Sequence, residues 1–357
     1  MSGRFLIRPK PLAGESMSSW RQRGGWQNGF VLFPCPDGRH RKGDWDLCPG
    51  TEELLWLANS FDVDSHALSA MSLLGQSHLV STRDVRSKLP PWWLRAAYSP
   101  GSGSRLGPMY CPSCLRDDAE PYLRLHWRFA FVSRCGVHGE LLRNDCPHCG
   151  SPIWPGGHKS LERVSPRFRS FRQCWQCHGA ICQRRSKPIP PDATDELLAW
   201  CRHATVRLDD TVVSSVEAFK ALHSVARLFL RSPTRLTIQR SRSRWADVVS
   251  AGVDAPVRHV ERLGVDARSN LVTAARSVLA AWPRSFVEFA QETGLSRGHW
   301  NGMYDRLPSW MNEVLATELA QQNRTVNAER LRTAFGQWET ENGQPPTRKQ
   351  LKAMLRW

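Results

Sequence analysis

The sequence predicts a mainly α-helical protein with a central zinc-ribbon region, in which helix-turn-helix modules flank two structural zinc sites. Three observations predict it. Apolar residues recur at helical intervals over 51–75 and from Asp192 almost to the end of the sequence. Seven of the eleven cysteines fall between Cys111 and Cys177, and six of those seven form C-x-x-C pairs. The formal net charge is +16 over 357 residues, which bears on function rather than fold. At about 100–200 residues per folded unit, the length suits two or three units. The predicted division is a helical N-terminal domain over 1–98, a zinc-binding domain over 99–190 and a helical C-terminal domain over 191–357.

A hydrophobic content of 41% is enough to bury a core. No window approaches ~18 uninterrupted apolar residues, so no membrane-spanning helix is expected. The opening MSGRFLIRPKPLAGES has no continuous apolar stretch, so secretion is not expected either, and the reading is a cytoplasmic, nucleoid-associated protein. The basic excess is largely arginine, whose planar fork suits phosphates and stacks on bases. With no long basic amphipathic helix for a lipid surface, the charge points to nucleic acid.

In the N-terminal part, Leu54, Leu55, Ala58, Phe61, Leu68 and Met71 sit at helical intervals. Two short helices separated near 62–64 suit a helix-turn-helix or an ordinary helical hairpin, with Asp62 at the turn position that Gly usually fills.

The cysteines follow a Ser/Gly/Pro linker over 99–108. Cys111-Pro-Ser-Cys114 is followed after 20 residues by Cys135-Gly-Val-His138, and Cys146-Pro-His-Cys149 after 24 residues by Cys174-Trp-Gln-Cys177. Two-residue gaps let a tight turn point both ligands at one tetrahedral ion. Two successive paired sets favour zinc over a thioredoxin-like redox motif, the rival for any single pair. The expected ligands are Cys111, Cys114, Cys135 and His138 at one Zn2+, and Cys146, Cys149, Cys174 and Cys177 at a second. An interleaved pairing of the half-sites fits the same spacing. His148 and His178 lie beside ligands, while Cys35, Cys48, Cys182 and Cys201 lack ligand spacing and read as free thiols.

The residues around these ligands resemble the TniQ family. They are Tyr110-Cys-Pro-Ser-Cys-Leu115, Arg116-Asp117-Asp118, Pro121-Tyr122 through Trp127-Arg128, Leu141-Leu142 and Cys146-Pro-His-Cys149-Gly150. Pro9-Lys-Pro-Leu-Ala-Gly14-Glu15-Ser16-Met-Ser18-Ser19-Trp20 resembles that family's opening motif. The resemblance spans roughly residues 4–180. It implies a transposon-encoded target-site selection protein without catalysis of its own. Such proteins recognise an insertion site, by reading DNA or by docking on a guide-RNA effector complex of the Cascade-like, CRISPR-associated kind. They then recruit an AAA+ ATPase, and a homodimer is compatible with docking. The sequence departs from the family pattern after Trp20, where Arg21-Gln-Arg-Gly24-Gly25 is expected to interrupt a helix.

After Lys187-Pro-Ile-Pro-Pro191 the pattern is helical, with Leu197, Leu198, Trp200 and Cys201, then Val213, Val216, Phe219, Leu222, Val225 and Ala226 on apolar faces. Arg231, Arg235, Arg240, Arg242 and Arg244 lie in an acid-free stretch that reads as a solvated loop or a phosphate-contacting segment. Residues 285–303 carry the best helix-turn-helix pattern: Ala290 at the crossing, Gly294 at the turn, and Phe289, Leu295 and Trp300 in the core. Ser296 would cap a second helix exposing Arg297, His299 and Asn301 to bases. Residues 327–357 read as a further helix pair, with Leu331, Phe335 and Trp338 on one face and Thr347-x-x-Gln350 as a capping box.

No P-loop occurs, so ATP hydrolysis by one is not expected. Gly294-Leu-Ser296-Arg-Gly298 matches a nucleophile-elbow string but follows a predicted helix instead of a strand. The competing class is a zinc enzyme acting on nucleic acid, because His138-Gly-Glu140 resembles half of a deaminase signature. Four protein ligands at each ion would leave no open position for that chemistry.

Overall fold

Ser16 opens the first helix. Its hydroxyl accepts from the Ser19 N–H at 3.3 Å, and α1 runs over Met17–Gln27. The computed structural model describes residues 4–33, 44–47, 49–76, 92–94, 107–153, 164–241, 243–250, 259–300, 307–347 and 350. The expected interruption at 21–25 is absent, and the helix is continuous through it. Tertiary packing is the reason. A Cβ on Gly24 would lie 2.7 Å from the Phe61 ring, and one on Gly25 3.2 Å from Phe33, so the glycines admit those rings. The polar residues of this stretch are buried and partnered. Arg21 stacks 3.3 Å over the Trp45 ring, Gln22 donates to the Val31 carbonyl at 2.7 Å, and Arg23 pairs with Glu15 at 2.7 Å.

Helix α2 (Thr51–Phe61) starts where Glu53 accepts from the Gly50 N–H at 2.7 Å, and ends at Asp62 in the left-handed region with φ 59°. Asp64 then caps α3 (Ser65–Ala70), accepting from the Ala67 N–H at 3.0 Å. The expected helix pair is present, but its second member has six residues and gives way to a 3-10 turn at Leu73–Gln76. Leu54, Leu57, Phe61, Leu68 and Met71 pack on Met17 and Trp20 in one core, whereas Leu55 faces outward.

Among its described residues, the cysteine-rich region contains a short α-helix, α4 (Pro112–Asp117), a 3-10 turn at Leu125–Arg128, and isolated antiparallel bridges such as Tyr110↔Arg143, Arg134↔Leu141, Asp145↔Pro152 and Gln173↔Ala180. Beyond it come α5 (Thr194–Trp200) and a hairpin of β1 (Thr205–Leu208) and β2 (Thr211–Ser214), in the register Thr205↔Ser214 to Leu208↔Thr211. Val213, expected on a helical face, lies on β2 instead. Helix α6 (Ser215–Leu230) begins only at the Ser214 cap, so apolar spacing carried the helical pattern too far.

The acid-free arginine stretch is also corrected. Residues Ser232–Arg240 form a helix, α7, with Pro in its first turn and Thr234 and Ile238 buried four residues apart. Helices α8 (Arg244–Ser250), α9 (Val265–Val278) and α10 (Arg284–Thr293) follow. Gly294 takes the left-handed turn with φ 68° as expected, and Ala290, Phe289, Leu295 and Trp300 are buried. The described residues after the turn form a 3-10 turn, Arg297–Trp300, where a recognition helix was expected.

The last helix, α11, spans Ser309–Asn342, so no helix begins at 327. At 1.5 Å per residue it is about 51 Å long. Met311, Leu315 and Leu319 are buried at its start, while Leu331 and Phe335 are exposed. Gly343 ends it with φ 65°, and Thr347 and Gln350 form the expected capping box. One core runs from Leu73 to Leu319 through the cysteine region and the C-terminal helices, with the Trp92 indole donating to the Phe219 carbonyl at 3.0 Å. Among the described residues, no helix is long and apolar enough to cross a membrane.

Candidate metal centres

Four half-sites are shaped by two kinds of turn. In the first, Cys111 is the N-cap of α4, Pro112 begins the helix, and the Cys114 N–H points at the Cys111 sulfur at 3.5 Å. The other three are knuckles closed by a backbone bond to the first cysteine's carbonyl. These run from Gly139 N–H to Cys135 at 2.8 Å, Gly150 to Cys146 at 2.9 Å and His178 to Cys174 at 3.0 Å. The residue after the second ligand takes positive φ each time: Gly139 at 66°, Gly150 at 69° and His178 at 61°. The turn aims both donors to one side.

Cys111, Cys114, Cys135 and His138 form one group and Cys146, Cys149, Cys174 and Cys177 another, the donor atoms of each lying within 4.8 Å of one another. The half-sites therefore pair in sequence order and are not interleaved. In the first group, Cys114 Sγ is 3.5 Å from Cys135 Sγ, and His138 Nδ1 is 3.6, 3.3 and 3.7 Å from the sulfurs of Cys111, Cys114 and Cys135. In the second, Cys146–Cys177 and Cys149–Cys174 are 3.6 and 3.7 Å apart. A disulfide would need ~2.05 Å, and all eight donors are available as thiol or imidazole. A tetrahedron of ~2.3 Å zinc–sulfur bonds has edges of about 3.8 Å, so both donor sets fit a zinc ion.

Electrostatics favour a cation in each. Hydrogen bonds from Cys111 and Cys114 hold the Cys135 thiol well below its ordinary range, while the same crowding raises Cys114. Burial pushes Cys174 up; at Cys149, burial is outweighed by bonds from Ser151, which bring it down to about 7. Neighbouring thiols cannot all ionise without a positive charge between them. The far nitrogen of His138, Nε2, lies 3.2 Å from Asp117 Oδ2, which leaves Nδ1 to face the sulfurs. Sequence reasoning did not single out Asp117 for this role.

Neither His148 nor His178 joins a donor group. His148 Nε2 lies 3.2 Å from the Ala180 carbonyl instead. Glu140, the glutamate of the deaminase-like string, is bound within the fold. It is buried, accepting from Ser113 Oγ at 2.8 Å and the Ser186 N–H at 3.3 Å. Cys182 and Cys201 are buried and form no disulfide, and Cys35 and Cys48 lie outside the described residues.

The residues expected to touch nucleic acid are not gathered into one loop. Arg231 donates to the His299 carbonyl at 3.0 Å and Arg235 is half-buried in α7. Arg240 and Arg297 are exposed, and Arg244 stacks 4.7 Å over Trp245. His299 is turned inward, with Nδ1 3.1 Å from Ser296 Oγ and Nε2 3.5 Å from Thr237 Oγ1, and burial lowers its pKa. Arg242 and Asn301 lie outside the described residues.

These features define a class: a mainly helical protein with two cysteine-rich groups of four donors, each able to hold a metal ion. Residues 6–142 match the TniQ family model. That segment is similar to the TniQ family, whose proteins are associated with transposon target selection. The match includes the whole first centre and stops before Cys146, so the second centre lies beyond it. No curated protein matches the chain.

Proposed function

We propose that this protein is a non-catalytic adaptor for transposon target-site selection, linking a DNA target or a guide-RNA effector complex to an AAA+ transposition ATPase. The TniQ match over residues 6–142 carries the reading. Both tetrads hold structural Zn2+, and their four-donor closure supports a scaffolding role over zinc catalysis. The net charge of +16 supports working against nucleic acid. A second reading within the same class is direct, sequence-specific recognition of a DNA attachment site. It is favoured by the exposed Arg297 beside the Gly294 turn.

The test is selection of the zinc-loaded protein on a random duplex library at near-physiological salt, paired with pull-down of the cognate AAA+ ATPase. Capture of the ATPase with an enriched motif means direct readout. Capture without enrichment means the address lies in a guide complex, and failure to capture the ATPase overturns the adaptor reading.

A further inference from the structure

The segment 164–187, which carries the second half of the second centre, contains Arg167, Arg169, Arg172, Arg184, Arg185 and Lys187 and no Asp or Glu. Its two arms are held together at the knuckle. Gln173 bridges Ala180, and the Ile181 N–H donates to the Arg172 carbonyl at 2.9 Å. Arg172 is spent on the fold. It donates to the carbonyls of Leu115 at 2.9 Å and Asp118 at 2.7 Å, anchoring the hairpin on the end of α4. On the inner side, Phe168 and Phe171 pack their rings on Trp26.

The remaining cations face solvent. Arg167, Arg169, Arg184, Arg185 and Lys187 are exposed, and among the described residues none makes an ion pair. Arg169 uses one N–H on the Phe30 carbonyl at 2.7 Å and keeps the rest of its fork. Carboxylates beside the hairpin are engaged elsewhere: Glu140 accepts from Ser113 Oγ and the Ser186 N–H, Asp117 pairs with Arg116 and lies against His138, and Asp118 pairs with Arg124. Arg167 and Arg169 lie on one arm and Arg184 and Arg185 on the other, each three to five residues from the Arg172–Ile181 pair. At no more than ~3.4 Å per residue, the backbones of all four lie within about 17 Å of that pair, a span comparable to several consecutive phosphates.

We propose that this hairpin is a backbone clamp, whose Arg167, Arg169, Arg184 and Arg185 contact nucleic-acid phosphodiesters without reading sequence. The proposal rests on the targeting reading above and gives it a surface beyond the family match. Phosphate is a better partner than an acidic protein because none of the large exposed hydrophobics falls in this segment. Protein interfaces are anchored by buried apolar and aromatic residues, whereas phosphate contacts need only forked cations.

The experiment measures affinity of the full-length, zinc-loaded chain for one fluorescent duplex, as DNA and as RNA, across a salt series. The patch variant is Arg167→Gln, Arg169→Gln, Arg184→Gln and Arg185→Gln together. A charge-matched control replaces the exposed Arg202, Arg207, Arg262 and Arg332 with Gln. A third variant replaces the four patch arginines with Lys. Each contacted phosphate contributes a slope of about 0.9 in log affinity against log salt, so the patch variant is expected to lose about 3 to 4 in slope. The control and the Lys variant keep the wild-type slope to within about 1. Zinc content and thermal midpoint establish that each variant is folded. The duplex on which the loss is larger identifies DNA or RNA as the source of the phosphates.

Equal losses in patch and control variants would reduce the effect to net charge and overturn the clamp, as would competition by polyglutamate at the same charge concentration. In both cases the ATPase pull-down still stands, so the adaptor reading survives. If the wild-type chain binds neither duplex the clamp also falls, and only the guide-complex form of the adaptor remains.

Discussion

The Glu15 carboxylate and the Arg23 guanidinium meet as a two-pronged pair at 2.8 and 2.7 Å, with side chains 0% and 2% exposed. The same carboxylate accepts from Ser19 Oγ at 2.8 Å and the Leu12 N–H at 3.0 Å. Ser19 Oγ in turn accepts from the Leu123 N–H at 2.9 Å, while Ser16 N–H and Gly14 carbonyl bond to Leu123 and Leu125. The Gly14-Glu15-Ser16 motif is thus a clasp that fastens α1 to the cysteine region. Arg128 makes a second fastening, donating to Asp46 and to Asp44 at 2.5 Å.

Breaking the clasp on one side leaves a buried charge alone. Arg23→Met is expected to cost about 3–5 kcal/mol in urea unfolding. The double variant Glu15→Gln, Arg23→Met should recover a good part of that loss. Additive losses would show that the two residues do not act as a pair.

Gly24→Ala sets helix propensity against space. Alanine in a helix gains about 1 kcal/mol over glycine, but its methyl would sit 2.7 Å from the Phe61 ring. Phe61 is stacked among Phe5, Trp20 and Phe33 and cannot swing clear. Overpacking of about 1–3 kcal/mol should win, lowering the thermal midpoint. In a Phe61→Leu background the penalty of Gly24→Ala should shrink.

The two centres should release metal at different rates. Cys111, Cys114 and Cys135 are buried, whereas Cys149 and Cys177 are exposed. A chromogenic chelator should remove zinc in two phases, the second centre first. Cys177→Ser should abolish the fast phase and leave one zinc per chain. Cys111→Ala, within the main core, should unfold the central region, since structural zinc contributes on the order of 10 kcal/mol.

Asp117→Asn removes the carboxylate that orients His138. Zinc affinity at the first centre should fall about 10-fold or more, with the second centre unchanged, as read by competition with a calibrated chelator.

Glu261 gives a pH signature. Burial alone would raise its carboxyl, but hydrogen bonds with His223 at 2.9 Å and from the Trp92 N–H at 2.9 Å outweigh that and hold it at about 2. The folded value lies below the ordinary one of 4.5, so this stabilisation is complete above that pH and drains away as pH falls towards 2. The stability gap between the wild type and Glu261→Gln should therefore narrow by about 1 kcal/mol from pH 6 to pH 4. Zinc-ligand protonation is common to both chains and cancels in the difference.

The sequence by itself picked out the eight candidate donors, the Gly294 turn and the Thr347–Gln350 cap, because each depends on residues within a few positions of one another. Two residues between ligands suffice to aim a pair, whatever surrounds it. Only the tertiary structure decided which half-sites come together in one donor group, since that depends on how α4 and the three knuckles meet. It also decided that α1 passes unbroken through Gly24 and Gly25, and that His299 turns inward to Ser296 and Thr237. Local propensity treats Arg21, Arg23 and paired glycines as helix-ending surface. Burial against Trp45, Glu15, Phe61 and Phe33 supplies partners that no spacing within the helix encodes.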